Sequence, residues 1–129
     1  MIVVDTSALV AVVLGEPELA QFSTIMTTNP TVTCAASITE AALVLEEQYG
    51  PDSVGDLRLL LHETAMEIFP VTGELAWDAH EAWRRFGKGR HPAALNYGDC
   101  FSYALAKSLG APLLFKGNDF SQTDVQSAH

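Results

Sequence analysis

The sequence predicts an α/β sandwich around a mostly parallel sheet. Short β-branched runs such as Ile2–Val4 and Thr31–Cys34 alternate with longer stretches of helical apolar period. The strand-like runs are short and apolar enough to be buried on both faces, as parallel strands are. The 129 residues, 48% of them apolar, can bury one core, with no repeat, linker or low-complexity tract to divide them. Residues 1–129 are therefore expected to form a single domain.

The elements follow in order. Ile2–Val4 is the first strand. Asp5, Thr6 and Ser7 can cap a helix over residues 8–14, which Gly15 ends. Glu16, Pro17 and Glu18 open a second helix, because proline and acids suit a first turn. Asn29-Pro30 breaks the chain before the second strand, Thr31–Cys34. Helices are expected over residues 37–49 and 53–65, the second with Val54, Leu57, Leu61 and Ala65 on one side. A third strand is expected over 67–71 and a helix over Gly73–Phe86, with Leu75, Ala79, Ala82 and Phe86 inward. A basic loop leads to a nearly all-apolar helix over 96–109. A fourth strand over 113–115 and one short strand near Val125 complete the reading.

Charge narrows the function. Seven Lys and Arg face sixteen Asp and Glu, a net charge of -9, so the chain should repel nucleic acid on average. Yet Arg84, Arg85, Lys88 and Arg90 fall within one seven-residue window, followed by His91. That run is either a solvated helix end or a local anion site. No apolar run approaches a membrane span, and the N-terminus lacks the basic stretch of a secretory signal. Cys34 and Cys100 have no metal-type spacing and read as buried thiols, which fits a cytoplasmic protein.

Ligand sites in such sheets lie beyond the carboxyl ends of the strands. Asp5 ends strand one, Glu40 follows strand two, Asp119 follows strand four, and Asp99 opens the apolar helix. Four acids at one edge are tolerable around a divalent cation, and hard oxygen donors favour Mg²⁺ or Mn²⁺ over zinc. A structural reading stands beside this one. Ser37-Ile-Thr-Glu40 and Asn96-Tyr-Gly-Asp99 both fit a capping box, and Asn118 could cap a turn that opens on Asp119. There is no glycine-rich phosphate loop and no serine nucleophile elbow, so hydrolysis by a metal-activated water is favoured.

Four segments then resemble the PIN domain, and most closely the VapC-type toxins of bacterial toxin–antitoxin pairs. They are Ile-Val-Val-Asp5-Thr6-Ser7-Ala8, Ser-Ile-Thr-Glu40, Leu-Asn96-Tyr-Gly-Asp99-Cys-Phe-Ser-Tyr-Ala-Leu-Ala and Leu-Leu-Phe-Lys-Gly-Asn118-Asp119-Phe-Ser-Gln-Thr123-Asp124. The resemblance spans the chain in the right order. It implies a three-layer α/β/α sandwich with a sheet of four to five strands. It also implies a Mg²⁺- or Mn²⁺-dependent endoribonuclease that leaves a 5′-phosphate and a 3′-hydroxyl. Asp5, Glu40, Asp99 and Asp119 match the acidic metal-binding set, with Thr6 or Ser7 and Asn118 in support. A homodimer and a cognate antitoxin are implied as partners.

On this reading Arg84, Arg85, Lys88 and Arg90 hold RNA phosphates, or else meet an acidic antitoxin segment. Trp77, Trp83, Tyr97 and Tyr103 are core, interface or base-stacking residues. Leu59, Leu60 and Leu61 suggest a partner surface. A phosphate-accepting receiver domain would need an acid at the end of strand three, and Phe69-Pro70-Val71-Thr72 has none. A haloacid-dehalogenase-like phosphatase would need an acid where Ser7 stands. A non-catalytic RNA- or protein-binding relative would have lost site acids, and none is lost.

Overall fold

The computed structural model describes all 129 residues. In chain order the elements are β1 (Ile2–Val4), α1 (Thr6–Val13), α2 (Leu19–Thr28), β2 (Thr31–Cys34), α3 (Ala35–Tyr49) and α4 (Asp52–Glu63). Then come β3 (Glu67–Phe69), α5 (Gly73–Phe86), α6 (Tyr97–Leu109), β4 (Leu113–Leu114) and a 3₁₀ turn, Phe120–Gln122. The four strands form one sheet, ordered β3-β2-β1-β4, with every pairing parallel.

The two-residue period of a strand divides the core in two. Val3 faces α5 and α6, where it joins Val32, Leu75, Phe86, Phe101 and Leu105. Ile2 and Val4 face the other way, toward Leu9, Phe22, Met26, Leu45 and Leu57 of α1 to α4. Helices thus cover both faces of the sheet, giving the three layers expected. β1 and β2 are buried throughout, whereas β3 is an edge strand with Glu67 and Ile68 exposed.

Most expected boundaries hold within one or two residues, and α5 has the bounds read from its apolar spacing. Four departures have local causes. α2 begins at Leu19 and not within residues 16–18, which form a turn closed by the Leu19 amide on the Glu16 carbonyl, with Glu18 as the N-cap. α3 starts at Ala35, directly off β2, so Ser37 lies inside the helix and caps nothing. β3 stops at Phe69, ahead of Pro70, which has no N–H for a ladder bond. The C-terminal segment forms no fifth strand; it makes one bridge, Leu113 to Ser127, with two backbone hydrogen bonds.

α6 is the buried spine of the α5 side. Residues 99–106 are all buried, between α5 and the sheet. Asn96 caps it, and Gly110 ends it in the left-handed region at φ 60°. Cys34 and Cys100 are free buried thiols, as expected. No helix is long and apolar enough to cross a membrane.

Candidate active site

Asp5 leaves β1 at its carboxyl end and caps α1, with 2% of its surface exposed. Its Oδ2 accepts from the Ser7 amide at 3.0 Å and the Ser7 hydroxyl at 2.6 Å. Its Oδ1 accepts from Ser102 Oγ at 2.5 Å. Ser7 Oγ in turn accepts from the Lys116 amide at 3.0 Å, tying the end of β1 to the end of β4. Thr6 Oγ1 donates to the Ser37 carbonyl at 3.1 Å and fastens α1 to α3. The supporting positions Thr6 and Ser7 therefore act on the backbone and on Asp5.

Asp99 is buried in the first turn of α6 and completes a capping box with Asn96. Its Oδ2 accepts from the Asn96 amide at 3.1 Å, and Asn96 Oδ1 accepts from the Asp99 amide at 2.8 Å. Burial pushes the Asp99 carboxyl up to about 7. The Asn96 amide pulls it back, and the negative charges of Asp5, Asp119 and Glu40 raise it further.

Glu40 and Asp119 differ from the capping arrangement that their sequences allow. Because α3 begins at Ala35, Glu40 falls in its second turn, and the helix has no side-chain cap at all. Ser37 Oγ lies 3.3 Å from Ser102 Oγ instead. The Glu40 carboxylate lies against Gly98, where a Cβ would overlap it. Asp119 is exposed and makes no side-chain cap for the 3₁₀ turn that follows. The cap expected of Asn118 is likewise missing: Asn118 is exposed, and its carbonyl, not its side chain, accepts from Ser121 Oγ. So the structural explanation survives for Asp99 and fails for Glu40 and Asp119.

All four acids line one cleft, together with Thr6, Ser7, Asn96, Glu16 and Lys116. No three of the acids converge closely enough to share an ion in this arrangement. The donors nevertheless suit a hard divalent cation: they are oxygens, and the cleft contains neither His nor Cys. Three lining or supporting residues, Glu16, Ser102 and Lys116, escaped the sequence reading of the site. Ser102 is a polar residue three positions beyond Asp99 in the largely apolar run 100–106, and that interruption was its signal. Lys116 is the one basic residue lining the cleft; its Nζ lies 3.2 Å from both Glu16 Oε2 and Glu18 Oε1, whose hydrogen bonds raise its pKa.

The basic run does not form a single patch. Arg84 pairs with Glu81 at 3.6 Å, and Arg90 stacks on Trp83 at 4.8 Å while donating to the Arg84 carbonyl. Arg85 turns away to Asp124, at 3.6 Å, and to the Tyr103 hydroxyl, at 3.4 Å. Lys88 lies beside Asn96 in an apolar groove between α5 and α6 that Trp83, Tyr97 and Phe101 also line. Because Asn96 lines both groove and cleft, the two adjoin. Trp77 and Tyr97, at 73% and 81%, are the most exposed of the large apolar side chains. Of the run Leu59, Leu60 and Leu61 on α4, only Leu59 is exposed; Leu60 and Leu61 pack against the core.

Fold and cleft together define a class: a parallel α/β/α domain that gathers acids of hard-donor type beyond its strand ends. A sequence profile of the PIN domain matches residues 2–126. The chain is 47% identical over 128 residues to a ribonuclease VapC of Mycolicibacterium smegmatis, covering 98% of this chain and 99% of that protein. It is 47% identical over 124 residues to ribonuclease VapC30 of Mycobacterium tuberculosis, covering 95% of each. A crystal structure of Mycobacterium tuberculosis VapC20, a toxin that cleaves the sarcin–ricin loop, shares the fold with a TM-score of 0.79. Sequence identity there is 19%, over 97% of this chain and 96% of the other. The chain belongs to the PIN-domain family, among its VapC-type ribonuclease toxins.

Proposed function

We propose that the chain is a Mg²⁺- or Mn²⁺-dependent endoribonuclease toxin, neutralised by a cognate antitoxin. The observation that carries this reading is the shared cleft of Asp5, Glu40, Asp99 and Asp119, in which two of the four acids have no capping task. Asp5 and Asp99, buried and held, would be the main ligands of the cation. Glu40 and Asp119 would complete the set, with Thr6, Ser7 and Asn118 in support. When bound, the cation supplies a lowered pKa to water and neutralises charge on the scissile phosphate. Lys88 and Arg90, with Arg84 behind them, hold RNA phosphates beside the cleft. Arg85, engaged with Asp124, contributes less to RNA binding.

We assign the exposed face of Trp77, Trp83 and Tyr97 to a homodimer. These three exposed aromatic side chains would be covered by a second copy related by a two-fold axis. The protein would act in the cytoplasm, where RNA is present and Cys34 and Cys100 stay reduced.

The test is cleavage of total cellular RNA with Mg²⁺ or Mn²⁺, beside an Asp5→Asn, Asp99→Asn double variant and an EDTA control. Discrete products from the native chain alone, abolished by EDTA, are the expected result. Undiminished cleavage in EDTA or by the double variant would overturn the proposal.

A further inference from the structure

Ser102 and Ser37 are both buried, at 0% and 1% exposure, and neither is among the residues to which the family resemblance gives a role. A hydroxyl has one proton to donate. Ser102 spends it on Asp5 Oδ1, at 2.5 Å. At the 3.3 Å contact between the two serines, the donor must then be Ser37. The hydrogen bonds thus run in one direction, from α3 through α6 to the end of β1.

The two oxygens of Asp5 are not equivalent. Oδ2 accepts twice, from the amide and the hydroxyl of Ser7, which fills its two lone pairs. Oδ1 accepts once, from Ser102, and keeps one lone pair. Asp5 lines the cleft. Oδ1 is therefore the oxygen with capacity left for a cation, and Ser102 is the group that orients it.

We propose that Ser102, oriented by Ser37, is a positioning residue that aims Asp5 Oδ1 at the cation. This rests on the metal-dependent reading of the cleft. Groups that orient metal ligands from behind typically change affinity by 10–100-fold. Binding of Mn²⁺ alone, followed by calorimetry on the full chain, is the test. Ser102→Ala should weaken Mn²⁺ binding about tenfold or more. Ser37→Ala should weaken it by about threefold, and should add nothing in a Ser102→Ala background because Ser37 acts through Ser102. Circular dichroism of each metal-free variant establishes that it is folded, and if Ser102→Ala does not fold, Ser37→Ala carries the test alone.

Native-like Mn²⁺ affinity in folded Ser102→Ala would overturn the inference while leaving the metal reading intact. So would an unchanged affinity in Ser37→Ala, or a full additive loss in the double variant. A native chain that takes up no Mn²⁺ would overturn the metal reading, and this inference with it.

Discussion

The Tyr103 hydroxyl donates to Asp124 Oδ1 across 21 residues of sequence, fastening the C-terminal segment to the buried middle of α6. Lys107 and Arg85 flank the same carboxylate at 3.3 and 3.6 Å. The Tyr103 bond, followed by the two cations, holds Asp124 below its usual range, and burial raises the Tyr103 hydroxyl above its own. Tyr103→Phe should lower stability by about 1–2 kcal/mol, the low end for a bond to a charged group because Asp124 is nearly half exposed. A depressed acid stabilises above its unfolded pKa and loses that effect as pH falls through its folded one. The difference between native and Tyr103→Phe melting temperatures should therefore shrink below about pH 4.

Gly98→Ala separates stability from activity. The added Cβ would meet the Glu40 carboxylate, the free end of a flexible side chain, so Glu40 should move and the fold should not. Alanine is the better helix former, by up to about 1 kcal/mol. The variant should melt at or above the native temperature while kcat/KM on RNA falls about tenfold or more, on the order of 1.4 kcal/mol in the barrier. Equal activity would show that the position of Glu40 is immaterial.

Asp99 sets the pH response of the chain in EDTA. Its carboxyl is raised from about 3.9 in the unfolded chain to about 7 in the fold. The folded state thus binds the proton more tightly, and unfolding free energy should fall as pH rises from about 4 to 7, then level off. Asp99→Asn removes this slope and keeps an acceptor for the Asn96 amide. Above pH 7 the metal-free variant should be the more stable protein, by on the order of 1–3 kcal/mol, with the advantage gone below about pH 4. Denaturant unfolding at several pH values checks it.

Salt dependence sorts the basic residues. Each phosphate contact on a single strand contributes about 0.7 to the slope of log K against log salt. Lys88→Ala and Arg90→Ala should each reduce that slope by about this amount in binding assays with a cleavage-dead variant. Arg85→Ala should leave the slope nearly unchanged and lower the melting temperature instead, because its partner is Asp124.

Trp83→Glu should give a monomer in sedimentation experiments at micromolar concentration. It sets a charge in the aromatic face while leaving the acids of the cleft in place. A dimer that persists would move the interface elsewhere.

The strands and helices were legible because their apolar spacing is simple: Leu75, Ala79, Ala82 and Phe86 all turned inward as their period required. The four acids were legible as a group because each follows a strand or opens a helix. What the sequence concealed was how they are held. Ser37-x-x-Glu40 has the form of a capping box, yet β2 runs into α3 without a loop, and that tertiary fact moves both residues one turn inward. Ser102 could be seen as odd in an apolar helix, but its partner lies 97 residues away. The basic run looked like one patch in sequence, whereas neighbouring helical residues point about 100° apart, and so Arg84 and Arg85 found different partners.

The acids of the cleft come from positions 5, 40, 99 and 119, so the site cannot be assembled from any early portion of the chain. A growing polypeptide that stops short of residue 113 has β1 without β4, and the Ser7 hydroxyl without the Lys116 amide that secures it. The cleft is complete only once residue 119 has been made, so whatever chemistry it carries cannot begin on a shorter nascent chain.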